Sequence, residues 1–149
     1  MKRFKFSLEK VLEIKGIEEK TIQKNLLLIQ NEIMENERNI ITLKENISSE
    51  RKKVSNLSKS ISNTTDIMVY YRYIDALSSE VENLNNNLKT LKQKEIVVKN
   101  QLIEKSKEKK SLERLKDIQF EEYRNEYIKA QQISIDAISI QNHRFKTSP

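Results

Sequence analysis

The sequence predicts an all-α fold, a long antiparallel coiled coil made of two helices. Three observations predict it. Apolar residues recur every seven positions in both halves, one polar stretch separates the halves, and almost nothing in the chain can break a helix. Of the 149 residues, 36% are hydrophobic and 34% are charged, which suits a thin apolar stripe better than a globular interior. Gly16 is the only glycine and Pro149 the only proline, so helices can run on with few interruptions.

The first helix is expected over about residues 8–60. Leu26, Ile33, Ile40, Ile47, Val54 and Ile61 fall one heptad apart, and the companion position reads Ile29, Asn36, Leu43, Glu50 and Leu57. Two positions recurring every 3.5 residues keep a single seam facing a neighbouring helix. Upstream, Leu12 and Ile22 continue the stripe, with polar gaps at Lys15 and Glu19. Phe4, Phe6, Leu8 and Val11 carry more bulk than the stripe needs, so they pack on the returning helix or dock on a partner.

Residues 58–66, SKSISNTTD, form the one credible reversal point. Their short polar side chains compete with the backbone for helix hydrogen bonds and cap readily. With no glycine or proline there, a connection over about residues 61–67 is expected rather than a tight turn. The second helix follows over about residues 68–142. Its series reads Leu77, Leu84, Leu91 and Val98, with Ile74, Val81, Leu88 and Leu102 at the other seam position and Glu95 interrupting. The stripe weakens at Lys105 and Lys109, then shifts phase through Ile118, Tyr123, Tyr127, Ala130, Ile133, Ala137 and Ile140. Periodicity shows a seam but not which helix fills it, so a parallel dimer remains an alternative arrangement.

Several classes of chemistry have no residues to carry them. There is no cysteine, and His143 is the sole histidine, so thiolate or His-cluster metal sites are not expected. No GxxxxGK[ST] loop exists for nucleotide phosphates. No catalytic residues and no cofactor are expected. No apolar run approaches the length of a transmembrane helix. The formal charge of +6 is concentrated near the ends, in Lys2, Arg3, Lys5, Arg144 and Lys146. These five form one basic patch if the ends meet. The nearly balanced body argues against a nucleic-acid binder. In residues 105–116, glutamates at i±3 and i±4 from lysines suggest a solvated, self-paired face. The stretch Met68-Val69-Tyr70-Tyr71-Arg72-Tyr73-Ile74 is too bulky for one seam, so part of it closes the reversal or serves as an interface.

With these residues in view, the chain resembles the FliJ family of flagellar export proteins. The opening F-K-F-S-L-E-K-V-L-E-I-K, from Phe4 to Lys15, is similar to that family's start. The segment from Tyr70 to Leu77 fits its Y-x-x-[FY]-[IL]-x-x-L pattern. The end, from Glu121-Glu122-Tyr123 through Gln131, Asp136 and Arg144, resembles its charged C-terminal stretch, with a departure at Ala137 where an acid is common. The resemblance implies a non-catalytic coiled coil of the bacterial flagellar type III export apparatus, cytoplasmic and peripherally associated with the cell membrane at the flagellar base. It implies that such a protein promotes assembly of a hexameric export ATPase and couples it to the export gate. The implied partners are that ATPase, its regulator, the cytoplasmic domain of the export gate, and export chaperones. It further implies gate contacts at Tyr70, Tyr73 and Leu77, and ATPase contacts at Phe4, Phe6, Leu8, Val11, Tyr127, Ile133 and Ile140. The alternative reading is a self-assembling cytoskeletal or tethering coiled coil.

Overall fold

The computed structural model describes residues 2–59 and 64–147. Two helices account for nearly all of them: α1, Glu9–Lys59, and α2, Thr64–Thr147. No strand occurs among the described residues. Helix α2 begins and ends outside the span read from the sequence, taking in residues 64–67 and 143–147. Thr65 and Asp66 therefore lie in its first turn, where the Asp66 carboxylate complements the helix dipole. Arg144 and Lys146 do the same at its last turn. Helix α1 starts where the Glu9 N–H donates to the Phe6 carbonyl at 3.2 Å, followed by Leu12 N–H to Leu8 at 2.9 Å. Ile61, the last member of the first heptad series, lies outside the described residues.

Packing divides the chain into two compact units: a central unit, Thr21–Leu102, and a terminal unit that joins Met1–Lys20 to Ile103–Pro149. In both, α1 and α2 pair antiparallel. In the central unit Glu37 meets Lys92, while Ile47 and Val54, further along α1, meet Ile74 and Leu77 earlier in α2.

The core of the central unit is the predicted seam. Ile33, Ile40, Ile47 and Val54 on α1 and Ile74 and Leu77 on α2 are buried. Ile47, Val54, Ile74 and Leu77 form one cluster, with Leu43, Ile67, Tyr70 and Val81 packed against it. Leu84, Leu88, Leu91, Val98 and Leu102 stay half-buried, because a seam of two helices is open along both flanks. Asn36 and Glu50 sit half-buried at their heptad positions. Glu50 turns its carboxylate to Lys53 at 3.1 Å, and Glu95 turns to Lys99 at 2.8 Å, so both acidic interruptions are satisfied at the seam edge.

Candidate partner-binding surfaces

In the terminal unit the seam changes character. The heptad positions there are held by Lys15 and Glu19 on α1 and by Lys105 and Lys109 on α2, all half-buried. Opposite charges meet across the helices: Lys15–Glu108 at 2.8 Å, Lys105–Glu18 at 3.1 Å, Lys109–Glu19 at 3.8 Å and Lys116–Glu9 at 2.8 Å. The Ser106 hydroxyl donates to Glu19 at 3.2 Å. The Lys105 hydrogen bond holds the Glu18 carboxyl below its ordinary range, and Lys15 does the same for Glu108, each against an opposing desolvation. The Lys15 ammonium is raised, chiefly through its hydrogen bond to Glu108. Some lysines of residues 105–116 do pair within α2, as Lys105–Glu108 and Lys109–Glu113 do. Their closer partners on α1 make this stretch an ionic seam rather than only a solvated face.

Before α1, the chain has no regular secondary structure and is pinned to α2 by aromatic contacts. Phe6 is buried. The Phe4 ring meets Phe120 edge-on at 5.3 Å between centroids and tilts against Tyr123 at 5.6 Å. Tyr123 stacks on Tyr127 at 6.3 Å, and its hydroxyl donates to the Lys2 carbonyl at 2.8 Å. Phe4 and Tyr127 of the expected ATPase set thus belong to one aromatic ladder, while Phe6 is buried without a ring partner in it. Leu8, just before α1, and Val11, in its first turn, lie exposed.

Beyond Tyr123, every described side chain of α2 is exposed. Ile133 is 70% and Phe145 82% exposed, far more than a self-sufficient helix would leave uncovered. Ile128 and Ile135, Ile133 and Ile140, and Ile138 and Phe145 make three i, i+7 pairs. At about 100° per residue, these pairs fall on three different sides of the helix. The sequence reading followed one stripe and so passed over Ile128, Ile135, Ile138 and the ladder member Phe120. Their seven-residue spacing was the available signal.

The five terminal cations do not form one patch. Lys2, Arg3 and Lys5 lie beside Tyr123 and Phe120, whereas Arg144 is 21 residues further along α2, about 30 Å at 1.5 Å per residue. They are two basic clusters. The three expected gate residues also separate: Leu77 is buried in the seam, Tyr70 is half-buried against it, and Tyr73 is exposed. Exposed Met68, Val69 and Tyr71 surround this start of α2 with further apolar surface.

The sequence model of the family described as flagellar FliJ protein matches residues 4–148, nearly the whole chain. The chain belongs to the FliJ family. It is therefore a non-catalytic coiled-coil component of the flagellar export apparatus. No curated protein and no solved structure matches the chain. Among the described residues, no FliJ helix is long and apolar enough to cross a membrane, and no cluster of metal-binding side chains occurs.

Proposed function

We propose that this FliJ-family chain joins export partners by presenting different surfaces from its two units. The terminal unit engages the hexameric export ATPase and promotes its assembly, through Phe4, Phe6, Leu8 and Val11 together with Tyr127, Ile133 and Ile140. The start of α2 docks on the cytoplasmic domain of the export gate, with Tyr73 as the accessible anchor and Tyr70 and Leu77 holding it from beneath. The ATPase regulator and export chaperones are further partners, at the cytoplasmic face of the membrane. The observation that carries this reading is the exposed helix past Tyr123, apolar on three sides. A helix that is apolar all round is ordinarily buried, so a ring of subunits enclosing it suits this segment better than a flat surface. The cations Arg144 and Lys146 at its end would orient approach to an acidic lining more than they add affinity.

The test pairs two variants at exposed positions, so that neither disturbs the seam. Ile133→Ser with Ile140→Ser should lose stimulation of the purified ATPase and its shift to the hexamer, with gate binding kept. Tyr73→Ala should show the reverse. The proposal fails if the first pair leaves ATPase assembly unchanged. Growth of the chain alone into larger species, abolished by Ile133→Ser and Ile140→Ser, would favour the tethering alternative instead.

A further inference from the structure

In the central unit, one flank of the seam is built differently from the rest. There α1 and α2 leave an open groove of about 560 Å³ whose floor is Ile47 and Val81. Its walls carry three cations, Lys44, Arg51 and Lys52, and three hydroxyls, Ser48, Ser55 and Ser78. A second groove of about 400 Å³ shares Arg51 and Ser55 and ends against Tyr71 and Ile74. No carboxylate lines either one. The nearby acids of α2, Asp75, Glu80 and Glu82, are absent from both linings.

Three lysines of this unit pair with carboxylates, Lys53 with Glu50, Lys92 with Glu37 and Lys99 with Glu95. Lys44, Arg51 and Lys52 pair with no acid among the described residues. Three unneutralised cations over an apolar floor attract a partner that brings both carboxylates and apolar side chains. From Lys44 to Ser58 the α1 wall covers 14 residues, about 21 Å or four helical turns. A trough of that length between two helices matches a third helix laid along them, with apolar anchors at i, i+3, i+4 and i+7. We infer that this groove receives an acidic amphipathic helix of a partner protein, completing a local three-helix packing.

The site is separate from the gate surface proposed above. Tyr73 lies about 200° round α2 from Tyr71 and emerges on the opposite flank of the seam. A partner in the groove leaves Tyr73 open, so this inference and the proposed function can fail independently.

The experiment titrates a fluorescein-labelled, stapled helical peptide, with Leu on one face and Glu on the other, into the full chain. Binding should weaken about tenfold in the Lys44→Glu, Arg51→Glu double variant, whose side chains are solvent-exposed and unpaired. Circular dichroism should be unchanged, and Tyr73→Ala should have no effect. A photo-crosslinker at Ser55 or Ser78 should capture the peptide. A scrambled peptide of the same composition should bind at least tenfold less tightly, since its apolar anchors no longer share a face. The inference is overturned if the scrambled peptide binds equally well, or if a single-stranded oligonucleotide of equal charge binds as tightly, which would mark a general anion surface. No binding at 100-micromolar peptide, or binding untouched by the double variant, overturns it as well.

Discussion

Ile74→Ala is the sharpest probe of the seam. Ile74 is 5% exposed and packs with Ile47, Val54 and Leu77. The substitution removes three carbons, which at about 0.8 kcal/mol each amounts to about 2.4 kcal/mol of lost burial. In a closed core a cavity term would be added, but Ile74 also lines an open groove with Arg51, Ser58 and Tyr71. Neighbouring side chains and water can enter the space, so that term stays small. The better helix propensity of alanine returns a few tenths of a kcal/mol. The expected loss is therefore about 2 kcal/mol, read as a lower urea midpoint by circular dichroism with an unchanged slope. Ile96→Ala, at a position 60% exposed on the same helix, should cost under about 0.5 kcal/mol. Equal losses from the two variants, or no measurable loss at Ile74, would refute the assignment of the seam.

Gly16→Ala should stabilise the chain by about 0.5–1 kcal/mol in the same assay. A methyl there would meet Lys109 Cε at 4.0 Å, ordinary contact, and no positive φ requires glycine. Phe4→Ala removes the aromatic contacts to Phe120 and Tyr123, together about 1.4 kcal/mol, so trypsin should cleave after Lys2, Arg3 and Lys5 about tenfold faster. The carboxyls of Glu18 and Glu108 are lowered from 4.5, so their contribution is present above that value and fades as pH falls through the folded pKa. Lys15 is raised above 10.5, so its contribution is present below that value and fades as pH rises through the folded one. Hydrogen exchange corrected for intrinsic rates should show residues 9–20 and 103–116 losing protection at both extremes, and before residues 40–54 do at acid pH.

The apolar seam of the central unit was legible because burial there follows the heptads residue by residue, from Ile33 to Val54 and from Ile74 to Val98. A period of 3.5 leaves a side chain little choice of face. The ionic seam was less legible. Lys15, Glu19, Lys105 and Lys109 keep the heptad phase, yet a charged residue in that phase reads equally well as a gap, and only the cross-helix distances separate the two. Register was the missing quantity. It also decides the basic patch, which required the two ends to meet, whereas Lys2 bonds Tyr123, far short of Arg144. Burial of Leu77 followed directly from its heptad position, whereas the resemblance alone had grouped it with exposed Tyr73.

The distribution of apolar residues in the terminal unit runs against what its own stability calls for. Large isoleucines and Phe145 stand exposed on α2 past Tyr123, while seam positions at Lys15, Glu19, Lys105 and Lys109 are charged. Partly exposed ion pairs add little stability, so holding α1 to α2 here falls largely to Phe4, Phe6 and the half-buried Leu12, Leu112 and Leu115. Apolar residues at those four positions would bind the helices more tightly. They would also add a sticky surface whenever this part of the seam opened, beside an already apolar helix. The charges pair only in the correct antiparallel register, which disfavours slipped alignments and keeps the exposed isoleucines the principal apolar surface offered to a partner. Local rules are broken where a chain meets its partners, and in this chain both departures fall in the unit proposed to meet the ATPase.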